Sequence, residues 1–274
     1  MLAALIQTLE SIGDVAVAVS GGVDSLTLAC VAHRAAKQTG VNVRMLHASS
    51  PAVPPEATER VRRVAGQEGW ALSVIDAQEF GNAHYRENPA NRCFFCKSQL
   101  YSTMQAHTSA QIVSGANIDD LGEYRPGLDA ARERNVRHPY VEAGIDKAEV
   151  RRIARAIGLG SIADLPSSPC LSSRIETGIR IEAPSLKFVH AVEKLVASEL
   201  ASELAAATVR CRLRASGIVI ELDHESLAAL SPEVTARIIA AITAESEVSG
   251  HPLTGEPPRF APYKVGSAFL TTKS

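Results

Sequence analysis

The sequence predicts a doubly wound α/β protein with a parallel sheet, followed by a smaller C-terminal α+β domain. Short β-branched runs alternate with helical patterns through the first two thirds of the 274 residues, which is typical of a parallel sheet covered by helices. The pattern changes after a Pro- and Ser-rich loop at residues 165–173. We therefore expect an α/β domain over residues 1–183 and an α+β domain over residues 184–274.

Alternating strands and helices are predicted in the first domain. The strands are Val15–Val19, Val41–His47, Leu72–Ile75 and Gln111–Ser114, and the helices are Leu26–Thr39, Pro54–Gly69, Leu100–His107 and Asp146–Ile157. Asp146 is expected to cap the last helix, with Glu149 three residues later and Gly158 as its stop. In a sheet of this kind, ligands bind beyond the carboxyl ends of the strands.

The second domain has a different order of elements. A helix is predicted over Pro184–Leu204, a hairpin from Thr208–Ala215 and Gly217–Asp223, and a second helix over Pro232–Glu245. The tail that follows is rich in Pro and Gly. These signals favour a small α+β domain.

Composition and charge exclude several classes of protein. The net charge is −2 and the pI is about 6.5, so no basic field favours a nucleic-acid partner. No run approaches the ~20 apolar residues of a membrane span, and the first ten residues lack the positive region of a signal peptide. Five cysteines without an export signal predict a reducing, cytoplasmic location.

The segment Ser20-Gly-Gly-Val-Asp-Ser25 follows the first predicted strand directly. Its small residues allow consecutive backbone N–H groups to converge on an anion, and the next helix begins at the same point. No Gly-Lys-Ser/Thr follows, so the segment is not the phosphate loop of kinases and GTPases. It predicts a phosphate-binding turn of another kind.

Three cysteines have the spacing of ligands. Cys93 and Cys96 form a Cys-x-x-Cys pair, and Cys170 lies in a distant loop. A [4Fe–4S] cluster held by three thiolates keeps one iron open to an exogenous ligand such as sulfide. The alternatives are structural zinc with His84 as fourth ligand, a redox dithiol of Cys93 and Cys96, and no chemical role. Two further cysteines are expected to pack in the core: Cys30 and Cys211.

Several segments, in the same order along the chain, resemble the LarE family of the ATP pyrophosphatase (PP-loop) superfamily. They are Ser20–Ser25, Asn88–Lys97, Gly115–Asp120, Arg125–Gly127, Ile145–Arg151, Pro169–Ile175, Val209–Arg212 and Pro262–Ser267. The resemblance covers nearly the whole chain and implies an adenine nucleotide alpha hydrolase-like fold. Ala116 departs from the family, where Thr is usual, as does the segment between Thr177 and Arg180.

The resemblance also implies an activity. LarE-type sulfur transferases use ATP to adenylylate the carboxylates of pyridinium-3,5-biscarboxylic acid mononucleotide, and they convert these groups to thiocarboxylates with release of AMP and pyrophosphate. The product becomes the nickel-pincer nucleotide cofactor. One branch gives up the sulfur of a single cysteine at the Cys170 position, and another holds a [4Fe–4S] cluster on three cysteines. The presence of Cys93, Cys96 and Cys170 indicates the cluster branch, with a separate sulfide donor, and the family implies a homo-oligomer, a hexamer.

Site residues in the first domain follow from the same resemblance. The phosphates of ATP are assigned to Ser20, Gly21, Gly22, Asp24 and Ser25, with Asp24 acting through Mg²⁺. The adenosine is assigned to Ala48 and Ser49, for which strand-end packing is the alternative. The same crevice is expected to contain Gly115, Asn117 and Asp120. The alternative is that Asp119 and Asp120 cap the next turn. Lys147 is assigned to the α-phosphate, where it would stabilise developing charge; an exposed helix lysine is the alternative.

The acceptor is assigned to arginines. Arg210, Arg212 and Arg214 alternate along one predicted strand and share a face, which suits a phosphomonoester and carboxylates. Arg210 and Arg212 are the predicted substrate ligands, and cross-strand pairing with Glu221 and Asp223 is the alternative. Arg174, four residues after Cys170, is expected to steady the acceptor carboxylate.

Two other functions stay open at this point. A cluster-dependent tRNA thiolase also combines such a loop with three cysteines, but it would require a basic face. The other is an amidating or nucleotide-binding protein of the same superfamily in which the cysteines hold zinc.

Overall fold

The computed structural model describes residues 1–122, 125–166, 168–201, 208–251, 256–264 and 266–267. The chain divides into two compact units. The first comprises Met1–Asn82 and Asn91–Ser168, and the second comprises Ala83–Ala90 and Pro169–Ser274. Residues 169–183, which were assigned to the first domain from the sequence, group with the second unit.

The first unit contains a four-stranded parallel sheet. Its strands are β1 (Val15–Ala18), β2 (Val43–Ser49), β3 (Leu72–Asp76) and β4 (Gln111–Val113), in the order β3-β2-β1-β4. Val17 pairs with Met45 on one side and with Val113 on the other. The chain therefore runs outward from β1 through β2 and β3, and returns to the other side of β1 as β4.

Helices precede, connect and follow the strands of both units. In chain order they are α1 (Leu2–Ile12), α2 (Val23–Thr39), α3 (Pro55–Glu68), α4 (Ala83–Arg86), α5 (Arg92–His107), α6 (Pro126–Glu133), α7 (Pro139–Glu142), α8 (Lys147–Ala156), α9 (Ala183–Leu200), α10 (His224–Ala228) and α11 (Pro232–Ser249). Short 3₁₀ helices cover Glu79–Gly81, Ile118–Gly122, Gly160–Asp164 and Leu171–Arg174.

Alternation along β1 divides the core of the first unit into two clusters. Val15 and Val17 are buried with residues of α1, α2 and α8 on one side of the sheet. Ala16 is buried with Leu100 and Met104 of α5 on the other side. This two-sided burial is the doubly wound α/β arrangement that the sequence predicts.

A buried histidine and the single tryptophan lie in the first unit. His47 on β2 is fully buried, donates from Nδ1 to the Val19 carbonyl at 2.7 Å, and lies 2.8 Å from the Thr58 hydroxyl through Nε2. Burial lowers the pKa of His47, which favours the neutral ring in this link between β2 and α3. Trp70 follows α3 and is 8% exposed in the Val15–Val17 cluster.

The second unit is built on a three-stranded mixed sheet. β5 (Val209–Arg214) and β6 (Gly217–Leu222) form the predicted antiparallel hairpin, and β7 (Glu256–Pro262) lies parallel to β6 at the edge. β7 was not predicted from the sequence because three of its seven residues are proline. Proline is compatible with an edge strand, where one row of N–H groups has no partner strand.

Other elements differ from their predicted bounds. α5 begins at Arg92 rather than at the predicted Leu100. The sequence does not predict its first turns because their apolar residues follow no helical period. α8 begins as predicted: the Asp146 side chain accepts a hydrogen bond from the Glu149 backbone N–H at 2.7 Å. The predicted last residues of α9, 202–204, lie outside the described residues.

Candidate active site

The loop Ser20–Ser25 lies at the carboxyl end of β1 and continues into α2. The Ser25 hydroxyl organises it. Ser25 Oγ accepts from the Ser20 backbone N–H at 3.0 Å, contacts Ser20 Oγ at 3.0 Å, and donates to the Gly22 carbonyl at 3.1 Å. The loop is thus closed by its own last serine, and Gly22 provides the residue before the first turn of α2.

Two glycines permit close packing around this loop. Gly21 has φ +86°, and a Cβ there would lie 2.8 Å from the Ala57 carbonyl of α3. Gly115, after β4, would place a Cβ 3.0 Å from the backbone of Asp24 and Ser25. A side chain at either position would push a neighbouring segment off the loop. The loop therefore lies between α3 and the segment that follows β4.

Lys147 reaches the loop from the first residue of α8. Its ammonium group forms an ion pair with the Asp24 carboxylate, and both side chains are partly exposed, 30% and 25%. The Asn117 amide donates to the other Asp24 oxygen at 3.4 Å. Lys147 is fixed in turn by its backbone N–H, which donates to the Asp119 carboxylate at 3.1 Å. The structure therefore brings together Asp24, Asn117 and Lys147, which are far apart in sequence.

The segment after β4 holds itself in place with its own polar groups. The Asp120 carboxylate accepts from the Asn117 backbone N–H at 3.0 Å and pairs with Arg125 at 2.6 Å. The Asn117 side-chain oxygen accepts from the Asp119 N–H at 3.1 Å. Asp120 therefore holds its own turn, as in the alternative interpretation, while the Asp119 carboxylate accepts from the Lys147 backbone N–H at the start of α8. Contact of Gly115, Asn117 and Asp120 with a nucleotide stays a prediction.

The last two residues of β2 are Ala48 and Ser49, which are assigned to the adenosine. Ala48 and Ser49 pair with Ile75 and Asp76 of β3, and both are partly exposed. They stand at the same edge of the sheet as the loop, because the carboxyl ends of parallel strands share one edge.

One cation at the loop was missed in the sequence. Arg60 on α3 donates from Nη1 to the Gly21 carbonyl at 2.8 Å. Nothing in the run Arg60–Arg63 distinguishes it from its neighbours Arg62 and Arg63. Only the packing of α3 against Gly21 does so.

The cysteines fall into two groups. Cys93 and Cys96 lie one turn apart at the start of α5, where residues three apart share a face, and both are partly exposed. Cys170 is exposed and directly precedes the 3₁₀ helix Leu171–Arg174 in the second unit. Cys30 and Cys211 are buried as expected. Burial raises the pKa of Cys30 to about 12 and also raises that of Cys211, which disfavours the reactive thiolate at both positions.

Within either unit, the described residues include no group of three or more His, Cys, Asp or Glu side chains arranged around a metal position. Cys93 and Cys96 belong to the first unit, and Cys170 belongs to the second. The three-cysteine cluster stays a prediction.

Arg174 is committed to the protein itself. It is 2% exposed, and its Nε and Nη2 donate to the Glu193 carboxylate at 2.9 and 3.0 Å. Its Nη1 donates to the carbonyls of Pro169 and Cys170 at 2.7 and 3.2 Å. This geometry fixes the backbone on which Cys170 is carried. The predicted contact of Arg174 with an acceptor carboxylate stays a prediction.

The three arginines of β5 have different partners. Arg212 is buried, donates from Nε to Glu221 at 2.9 Å, and donates from Nη1 to the Ser173 carbonyl at 2.9 Å. Arg214 pairs with the other Glu221 oxygen at 2.8 Å. The alternative of cross-strand pairing therefore describes both, with Glu221 and not Asp223 as the partner.

Among the residues that the structure describes, no carboxylate forms an ion pair with Arg210. Its Nη1 donates to the Val209 carbonyl at 2.7 Å, and its guanidinium lies 5.7 Å from the centre of the Tyr263 ring. Burial and the nearby Arg174 lower the pKa of Arg210, and its Nε is buried without a hydrogen-bond partner. Of the predicted acceptor ligands, Arg210 keeps the most binding capacity.

These features define an α/β protein whose parallel sheet presents a closed serine–glycine loop with a lysine–aspartate pair, as a PP-loop domain does. No family model matches the chain. It is 28% identical over 224 residues to a pyridinium-3,5-bisthiocarboxylic acid mononucleotide synthase of Lactiplantibacillus plantarum, with 80% of this chain and 78% of that protein covered.

Two uncharacterised proteins are also similar. A Synechocystis protein is 41% identical over 181 residues, which cover 65% of this chain and 66% of that protein, just under two thirds. A Methanocaldococcus jannaschii protein is 24% identical over 194 residues, which cover 66% of this chain and 68% of that protein. The chain is thus a distant relative of a protein named as a bisthiocarboxylic acid mononucleotide synthase. None of its described helices is long and apolar enough to span a membrane.

Proposed function

We propose that the chain is an ATP-dependent sulfur transferase that adenylylates a carboxylate of pyridinium-3,5-biscarboxylic acid mononucleotide and replaces its oxygen with sulfur. The observation that carries this proposal is the loop Ser20–Ser25 with Lys147 bound to Asp24. The similarity to a synthase named for the bisthiocarboxylic acid product supports the choice of acceptor.

The loop supplies the groups that hold and polarise ATP. Its backbone N–H groups and the start of α2 offer an anion site, and Asp24 is the carboxylate placed to take Mg²⁺. A metal ion held by Asp24 would neutralise charge on the phosphates. Lys147 brings its ammonium group to the same loop, where it is available to the α-phosphate, on which negative charge develops during transfer.

The proposed reaction has two steps. An acceptor carboxylate oxygen attacks the α-phosphorus, the bond to the β-phosphate oxygen breaks, and pyrophosphate leaves with the bonding electrons. Sulfide then attacks the acyl carbon of the mixed anhydride, the carbon–oxygen bond to the phosphate breaks, and AMP leaves. The acceptor keeps sulfur in place of one oxygen.

The thiolates of Cys93, Cys96 and Cys170 suit an iron–sulfur cluster better than the two buried cysteines do, because only these three are accessible. A [4Fe–4S] cluster on three thiolates supplies an open iron for an exogenous ligand such as sulfide. Arg174 and Glu193 would hold the Cys170 backbone in a fixed position for that role.

The test is to incubate the anaerobically purified chain with Mg-ATP, sulfide and the acceptor. We expect AMP and pyrophosphate in equal amounts, and a mass change of the acceptor that corresponds to oxygen replaced by sulfur. Asp24→Asn, which keeps the shape of the side chain, should abolish both products. Release of ADP and phosphate, or modification of tRNA in place of the acceptor, would contradict the proposal.

Metal analysis tests the cysteines separately. The purified chain should be brown and hold about four iron and four labile sulfide. Cys93→Ser, Cys96→Ser and Cys170→Ser should each lower that content, whereas Cys30→Ala, at a buried thiol, should not. A colourless chain with one tightly bound zinc would overturn the cluster assignment.

A further inference from the structure

Arg60 makes a contact with the loop that no assigned residue makes. Its Nη1 donates to the Gly21 carbonyl at 2.8 Å, while Ala57, one turn earlier on α3, packs against Gly21 so closely that no Cβ would fit. The helix α3 is therefore seated on the loop at Gly21, and Arg60 is the cation that this seating brings to it.

The Arg60 guanidinium still has donors to offer. Among the described residues it forms no ion pair, and the Gly21 carbonyl is its one hydrogen-bond acceptor, so Nε and Nη2 are uncommitted. Arg60 is partly buried, and this burial together with Arg63 lowers its pKa, while Glu56 acts in the opposite sense. Arginine stays charged despite such a shift, because its ordinary pKa is far above neutrality. The Arg60 guanidinium therefore keeps donors that can bind an anion through charge-assisted hydrogen bonds.

Arg60 and Lys147 approach the loop from different sides. Lys147 belongs to α8, which follows β4, and it reaches Asp24. Arg60 belongs to α3, which follows β2, and it reaches Gly21. Since β2 and β4 lie on opposite sides of β1, the loop has one cation on each flank. An extended triphosphate on the loop would then meet the two cations with different phosphates.

We propose that Arg60 binds the β- and γ-phosphates of ATP and stabilises the pyrophosphate leaving group, while Lys147 serves the α-phosphate. This inference rests on the proposed ATP chemistry. Negative charge builds up on the leaving group as its bond to the α-phosphorus breaks, and a guanidinium can receive it through two parallel hydrogen bonds. A purely structural Arg60 would need only its bond to Gly21.

The experiment measures binding of inorganic pyrophosphate and of AMP, each with Mg²⁺, by titration calorimetry. Arg60→Gln keeps a hydrogen-bond donor without charge, and Arg60→Lys keeps the charge without the planar fork. Arg63→Gln removes an exposed cation from the same helix and serves as the matched control. Melting curves of all three variants check that α3 is intact.

We expect Arg60→Gln to weaken pyrophosphate binding by about tenfold or more, the effect of losing a charge-assisted contact, and to change AMP binding by less than about twofold. Arg60→Lys should fall between the native chain and Arg60→Gln. Arg63→Gln should bind both ligands normally.

Two results would overturn the assignment: equal weakening of pyrophosphate and AMP, which indicates a collapsed loop, or unchanged pyrophosphate binding in Arg60→Gln. If the native chain binds neither ATP nor pyrophosphate, the proposed function itself fails. If the native chain binds ATP and releases AMP while Arg60→Gln binds pyrophosphate normally, only the role of Arg60 fails.

Discussion

Two ion pairs, one in each unit, show how differently the chain uses charge. In the first unit Lys147 and Asp24 are 30% and 25% exposed and face the loop. In the second unit Arg212 and Glu221 are 5% and 2% exposed. Glu221 accepts in addition from Arg214 and from the Ser267 hydroxyl.

The difference separates exchangeable charge from structural charge. A partly exposed pair gains little over its two hydrated ions, so a metal ion or phosphate can replace either partner at low cost. A buried pair is different, because removal of one partner leaves a desolvated charge behind. The charges of Lys147 and Asp24 are therefore exchangeable, while Arg212 and Glu221 hold β5 and β6 together.

The largest effect is expected when the buried pair is broken. Glu221→Gln should lower the free energy of unfolding by about 3–5 kcal/mol, since Arg212 stays buried without a counter-charge. Urea unfolding measures this change, and Glu225→Gln, at an exposed position of α10, is the control. A loss below about 1 kcal/mol would show that the two pairs are energetically alike.

Opening the exposed pair should act on turnover instead. Lys147→Met should slow pyrophosphate release by about 10²–10³-fold, as expected for loss of a group that stabilises transition-state charge, with a stability change within about 1 kcal/mol. Arg152→Met removes an exposed cation from the same helix and should leave the rate unchanged. A normal rate of pyrophosphate release in Lys147→Met would show that Lys147 is only an exposed helix lysine.

The parallel sheet and the loop could be predicted because their signals are local. β1 is a β-branched run, the loop follows it directly, and the Asp146 cap lies within four residues of its partner. The same holds for the β5–β6 hairpin, where strand pattern and turn adjoin. For such elements sequence and structure agree, within a few residues at the ends.

The partners of the arginines could not be predicted in the same way. Alternation along β5 shows which side chains share a face, but whether that face is open or covered depends on distant segments. Arg212 meets the Ser173 carbonyl, 39 residues away, and Arg174 meets Glu193. Arg60 was missed because its contact depends on how α3 packs on Gly21.

The comparison can be sharpened within one strand. Arg210→Ala should raise KM for the acceptor by about ten- to hundredfold, which corresponds to ~1.5–3 kcal/mol, while KM for ATP stays constant. Arg212→Ala should instead lower the melting temperature, because its partner is Glu221. Steady-state kinetics and melting curves of both variants test this difference. The opposite pattern would show that Arg212, and not Arg210, binds the acceptor.

The smallest effect concerns pH. The folded pKa of His47 is lowered by burial, so the unfolded chain binds more protons near pH 6, and stability is lost as pH falls from about 6.5 through the folded pKa. His47→Gln should flatten this dependence by up to about 1.4 kcal/mol per pH unit. Burial also lowers the pKa of His138 and His251, which should supply the slope that remains. Urea unfolding between about pH 5 and 8, the range in which histidines titrate, measures the slope, and an unchanged value in His47→Gln would exclude His47 as its source.

The position of Trp70 gives the chain a built-in optical label. As the single tryptophan, packed in the core of the first unit, it makes intrinsic fluorescence a probe of that unit alone, whereas circular dichroism follows the helices of both. Glu221→Gln should therefore shift the dichroism transition further than the emission of Trp70. One unlabelled sample, measured by fluorescence and by circular dichroism, then shows which unit a substitution has destabilised.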